Sequence, residues 1–111
     1  MLPKYKSLTR TTLDKTEGLP LAGVYIFAYM GKVVYVGKAT QSVVHRLETH
    51  WYNRANEAFG DWLDMMRPDW RNVRLDVLEP PDDMRAGYWM LQTEAALVRR
   101  HKPLFNTHLQ T

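Results

Sequence analysis

Hydropathy rises and falls in two distinct rhythms along the chain. Residues 22–30 and 33–37 are rich in Val, Ile, Tyr and Phe with Gly31 between them, the pattern of a β-hairpin. A turn at Met30-Gly31-Lys32 sets position 27 opposite 35 and position 25 opposite 37. Tyr25 and Tyr35 then leave one face as diagonal neighbours, roughly 7–8 Å apart at the backbone. A two-residue turn would send them to opposite faces. Ser42 is a good cap for a helix over 42–53 with Val44, Leu47 and Trp51 as its apolar stripe, and a second helical piece covers 57–66, stopping before Pro68. Val73, Leu75 and Val77 alternate with Arg74 and Asp76, a strand closed by Pro80-Pro81. Asp82 or Asp83 opens the longest helix, with Met84, Tyr88, Leu91, Ala95 and Val98 as its stripe, ending before Pro103.

Residues 1–18 have no clear period and read as a polar, basic lead-in, leaving 19–111 as a single domain. The order ββααβα predicts an α/β fold with a small, mainly antiparallel three-stranded sheet flanked by helices. A chain of 111 residues suits one core, and 45% apolar with 24% charged residues is a globular composition. The absence of cysteine removes disulfides, zinc-thiolate sites and iron–sulfur clusters. No apolar run approaches the ~18 residues of a membrane span, and the amino-terminal segment has no apolar core of a signal peptide, so a reducing, cytoplasmic setting is expected. The net charge of +3 is mild, but it is uneven: residues 1–60 carry +4 and residues 61–111 carry −1. That asymmetry favours an anionic partner only weakly.

Glu94 is the most informative position. Its helical neighbours three and four places away are Met90, Leu91, Leu97 and Val98, all apolar, so its carboxylate calls for a specific cation or donor; a place at the edge of the apolar face, reaching water or an arginine, fits equally well. Arg46 and His50 lie one turn apart beside the stripe of the first helix. Tyr25, Tyr35 and Lys38 are, by pattern alone, ordinary hairpin residues, while Gly37 opposite Tyr25 leaves space for a backbone or ligand to approach.

Together these positions form a recognisable series. Gly23-Val24-Tyr25, Tyr35-Val36-Gly37-Lys38, Arg46, His50, Glu94 and Asn106 follow in an order and spacing that closely resemble the GIY-YIG nuclease family. The resemblance runs from about residue 22 to 106, and the run from Glu94 through Lys102-Pro103 to Asn106 is similar to the end of the amino-terminal nuclease domain of excinuclease C. Val replaces Ile in both name-giving triplets, which leaves strand chemistry unchanged.

The resemblance implies an endonuclease that hydrolyses DNA phosphodiesters with one divalent metal, Mg²⁺ or Mn²⁺, held by Glu94. A single carboxylate with waters suits these hard cations, which would stabilise the leaving 3′ oxygen. Arg46 would clamp the non-bridging oxygens, a task for a planar, permanently charged fork. The water-activating base would be Tyr35, Tyr25 or His50. Since a free phenol titrates near ~10, a tyrosine base needs positive charge close by, from Lys38, Arg46 or the metal. Asn106 would hold the site together.

Aromatics and arginines between 51 and 74 can stack bases and hold phosphates. Trp51, Phe59 and Trp62 read better as core, leaving Trp70 and Arg71 beside Pro68 as nucleic-acid contacts. Family members usually attach this module to a DNA-reading domain, for which 111 residues leave no room; specificity would then come from the module itself, a targeting partner or a second copy in a homodimer. A non-cleaving nucleic-acid-binding module on the same fold is the alternative reading.

Overall fold

A computed structural model describes residues 4–43, 45, 57–83 and 85–106. Among them the sheet has four strands, β1 (Ser7–Thr12), β2 (Gly23–Tyr29), β3 (Lys32–Ala39) and β4 (Val73–Glu79), all antiparallel in the order β1-β4-β2-β3. Helix α1 (Glu57–Met65), a 3₁₀ segment (Arg67–Asn72) and helix α2 (Ala86–His101) complete the described elements. The α/β class and antiparallel sheet stand as expected, whereas the three-stranded sheet and the order ββααβα do not.

The extra strand comes from the lead-in. Its sequence SLTRTT has no apolar alternation to announce it, yet Ser and Thr suit an edge strand whose binding is mainly backbone. Two polar links fix it to β4: Ser7 Oγ donates to Glu79 (2.9 Å), and Arg10 Nε donates to the buried carboxylate of Asp76 (3.1 Å). Leu13, just beyond the strand, is buried in the core. Residues 1–18 are therefore part of the fold where they are described.

The hairpin register is as expected, by a different route. The turn has two residues, Met30 and Gly31, both at positive φ (51° and 80°), as a type I′ turn requires. Tyr29 pairs with Lys32 and Ala28 with Val33; then the register shifts between Phe27 and Ala28, so that Phe27 meets Tyr35 and Tyr25 meets Gly37. This β-bulge adds one residue to β3 and undoes the face inversion a two-residue turn would cause. Tyr25 and Tyr35 consequently share a face.

The sheet is covered on both sides. Tyr25, Phe27, Tyr35, Val73, Leu75 and Val77 pack with Phe59 and Leu63 of α1 and with Val43; Val24, Val36 and Leu78 pack with Trp89, Met90, Leu97 and Val98 of α2. The face α2 buries corrects the expected stripe: Trp89, Met90, Thr93, Leu97 and Val98 point inward, while Tyr88 and Leu91 are exposed. Four consecutive apolar residues, 88–91, offered two faces, and the polar Thr93 at the centre of the true one disguised it. The helix also begins later than expected, with Asp82 and Asp83 in a turn and Arg85 at the cap position.

Ser42 caps as predicted, its Oγ accepting the His45 backbone N–H at 3.1 Å, and residues 43 and 45 are helical. The rest of that helix, including Val44, Arg46, Leu47, His50 and Trp51, lies outside the described residues, as do Tyr52, Arg54 and Met84.

Candidate active site

β3 is an edge strand, and its carboxyl end forms one wall of a cleft of roughly 500 Å³. Tyr25, Tyr35, Gly37, Lys38 and Ala39 reach it from the hairpin, residues 40–42 from the turn that follows, His45 from the helical residues after it, and Leu91 and Glu94 from α2. The turn is tied back by the Val43 N–H, which donates to the Leu21 carbonyl at 3.0 Å. Four positions from three separate stretches of sequence, Tyr25, Tyr35, Lys38 and Glu94, thus meet at one place.

The tyrosines are held by packing. Their ring centroids are 6.3 Å apart; Tyr35 stacks on Phe59 at 4.2 Å, and Tyr25 stands edge-on to Phe27 at 5.9 Å. The space left by Gly37 is taken by Tyr25 itself. A Cβ at Gly37 would meet Tyr25 Cζ and Oη and come within 2.6 Å of Cε2, so the glycine admits the ring, not a ligand. Gly23 has a parallel reason: its absent Cβ would lie 2.5 Å from the Leu78 carbonyl oxygen of the neighbouring strand.

Glu94 sits at the border of the α2 core face, its side chain only 12% exposed. Lys38 Nζ donates to Glu94 Oε1 at 3.2 Å, giving the carboxylate the cation that its apolar neighbours demanded. The arrangement joins the edge strand to the helix and aims the carboxylate at the cleft. Among the described residues no group of three His, Cys, Asp or Glu converges as a metal cage. One carboxylate beside hydroxyl and amide oxygens of 40–42, with room for water, instead suits a hard cation such as Mg²⁺ or Mn²⁺ that keeps most of its hydration shell.

Asn106 does its work one layer deeper. It is buried, with Oδ1 accepting the Val36 N–H and Nδ2 donating to the Val36 carbonyl, both at 2.8 Å. The Phe105 N–H donates to the Val34 carbonyl at 3.0 Å. The amide thus replaces a neighbouring strand at the exposed edge of β3 and fixes the residue between Tyr35 and Gly37.

Trp70 and Arg71 are elsewhere. Their 3₁₀ segment leads into Val73, which pairs with Tyr29 beside the hairpin turn, whereas Lys38 pairs with Val24 at the other end of β2. Trp70 packs against the core and its indole N–H donates to the Leu63 carbonyl at 2.9 Å, while Arg71 is exposed. Neither lines the cleft. Nearby, the Tyr29 hydroxyl donates to Asp69 at 2.5 Å, which lowers the Asp69 carboxyl below its usual range and raises the Tyr29 phenol. Thr40, Gln41 and His45 line the cleft without being expected there; for His45 the available signal is its place three residues after the Ser42 cap. Comparison of the chain with protein-family models, curated proteins and solved structures finds no match.

Proposed function

We propose that the chain is a metal-dependent endonuclease of the GIY-YIG kind, hydrolysing phosphodiester bonds of nucleic acid, in the first place DNA. The observation that carries this reading is the meeting of Tyr25, Tyr35, Lys38 and Glu94 around one cleft, with Asn106 bracing the strand between them.

Each residue has a task in such a reaction. Glu94 would hold the cation, whose chemistry is Lewis-acid stabilisation of charge on the phosphoryl group and the leaving 3′ oxygen. Lys38 would keep the carboxylate oriented before substrate arrives, and its side chain, 38% exposed, is accessible enough to turn toward a phosphate oxygen. Tyr35 is 7% exposed against 0% for Tyr25, so it is the better placed of the two to take a proton from the attacking water. Tyr25, wedged over Gly37, would then fix the geometry. Arg46 clamping the phosphate and His50 orienting or relaying the proton rest on the resemblance alone.

A second reading has its own support. Because Lys38 already neutralises Glu94, the cleft is electrostatically satisfied without a metal, as a non-cleaving nucleic-acid-binding module would be. Labelled single-stranded, duplex and flap oligonucleotides, incubated with and without Mn²⁺, separate the two. Cleavage leaving 3′-hydroxyl ends supports the nuclease; salt-sensitive binding with no cutting supports the module.

A further inference from the structure

A second cleft lies at the opposite end of β3, beyond the carboxyl end of α2. It encloses about 700 Å³, and its walls carry Lys32 from the hairpin, Arg74 from β4, and Arg100, His101 and Lys102 from the end of α2. Among the described residues no carboxylate lines it. We propose that this groove binds the phosphodiester backbone of a nucleic-acid strand, as a station separate from the cleft at Glu94; the inference rests on nucleic acid being the ligand and not on cleavage.

Cations in the last turn of a helix have an ordinary explanation, since they complement the negative end of the helix dipole. That explanation does not bring Lys32 and Arg74 to the same place from two strands. Nor does it sort the turn's own residues: Arg99 is as exposed as Arg100 yet does not face the groove. Arg74 shares the Asp76 carboxylate with Arg10, at 3.4 Å and 3.1 Å, so two guanidiniums meet one negative charge. Lys32, Arg100 and Lys102 make no ion pair with the described residues. Positive charge from three elements, unpaired among the described residues at Lys32, Arg100 and Lys102, marks a site for a polyanion.

Backbone conformation points to the same spot. Met30 and Lys102 are the non-glycine residues at positive φ among those described, at 51° and 46°. Lys102 stands where a helix usually ends in glycine, its N–H donating to the Val98 carbonyl at 2.8 Å. Such a position is disfavoured for a residue with a Cβ, and it is kept here by a lysine that lines the groove. His101 is held below its usual pKa, chiefly by burial and in lesser part by the neighbouring Arg100 charge. Among the described residues Gly31, Val33, Val34 and Leu104 make up the rest of the lining, with no row of side-chain donors and acceptors to read base edges. The groove is therefore suited to phosphates irrespective of sequence.

Distance fixes the scale of the ligand. Lys38 and Lys32 are six positions apart on β3, about 20 Å of strand, and Glu94 and Arg100 are six apart on α2, about 9 Å of axis. At about 3.4 Å per nucleotide, one strand would span both stations with roughly three to six nucleotides between them.

The test is oligonucleotide binding by fluorescence anisotropy without metal, across a range of salt, on the full chain carrying Glu94→Gln, alone and combined with Lys32→Gln, Arg100→Gln and Lys102→Gln. Loss of three phosphate contacts should make the slope of log affinity against log salt shallower by about two to three units. Arg99→Gln, on the same helical turn, is the control and should shift the slope far less. Circular dichroism and thermal unfolding establish that the variants are folded; should the triple variant unfold, Lys32→Gln alone, on an exposed hairpin position, must lower the slope by about 0.7–0.9. An unchanged slope in folded variants overturns the proposal. So does an equal loss in Arg99→Gln, or binding to anionic lipid vesicles with none to oligonucleotides. Cutting by a protein whose groove variants bind normally refutes the groove and leaves the nuclease standing, whereas groove-dependent binding without cutting does the reverse.

Discussion

Replacing Gly37 with alanine probes the geometry of the candidate site with the smallest possible change. Gly37 sits in β3 at a φ that any residue can adopt, so the backbone carries no strain in the variant. The added Cβ meets the end of the Tyr25 ring, with Cε2 at 2.6 Å and Cζ and Oη closer still. Ordinary contact requires about a further ångström. Tyr25 is fully buried between Phe27 and Tyr35, so its ring cannot yield without disturbing both. Forcing a methyl into such a core costs about 1–3 kcal/mol. For a domain of this length that is a fall in Tm of roughly 4–12 °C. Thermal unfolding by circular dichroism reads the stability, and the rate of oligonucleotide cleavage reads the site. The two losses should occur together, because the displaced group lines the cleft. Adding Tyr25→Phe removes one of the clashing atoms and should recover part of the stability but not the rate. A Gly37→Ala protein with parental Tm would show that the ring is not wedged there, and the argument for Tyr25 as a fixed wall of the cleft would fail.

Three further substitutions test separate parts of the account. Asn106→Ala strips both partners from Val36 at a buried strand edge and should cost about 2–4 kcal/mol, measured by denaturant unfolding. Thr93→Val should stabilise by about 1 kcal/mol, since the Thr93 hydroxyl is buried in the α2 face with no hydrogen-bond partner among the described residues. The Asp69 carboxyl, lowered chiefly by the Tyr29 hydroxyl and further by Asn72, adds stability above its unfolded pKa of about 3.9 that is lost as pH falls through the lower folded value. The Tm advantage of the parent over Asp69→Ala should therefore be full at pH 6 and shrink steadily below about pH 4.

What the sequence disclosed and what it concealed follow from the strength of each local signal. Strand alternation puts Tyr25 and Tyr35 on one face and helical spacing marks Glu94, but only the family resemblance groups them with Lys38; the register at the tyrosines is as expected. Its cause was hidden: a type I′ turn with methionine at positive φ and a compensating bulge have no hydropathy signature. β1 escaped notice since an edge strand of Ser, Thr and Arg is held by backbone and polar links instead of an apolar face. On α2, Thr93 in the core and Leu91 in solvent reversed the usual preference, which shifted the expected stripe by about one residue. The unusual setting of Glu94 was still readable, because Met90, Leu97 and Val98 are buried around it whichever stripe is drawn. Trp70 looked like an open aromatic beside a proline; the Leu63 carbonyl that accepts its N–H is seven residues earlier and gives no sign in the sequence.

The central claim is that Glu94 serves a metal-dependent cutting reaction. Single-turnover cleavage of an end-labelled oligonucleotide in Mn²⁺ or Mg²⁺, compared between the parent and a folded Glu94→Gln protein, tests it most directly. Glutamine preserves the shape but removes the charge that would hold the cation, so on the proposed mechanism the rate should fall on the order of a hundredfold or more while the Tm changes little. Equal cleavage by the two proteins, or parental cleavage unaffected by a chelator, would contradict the account.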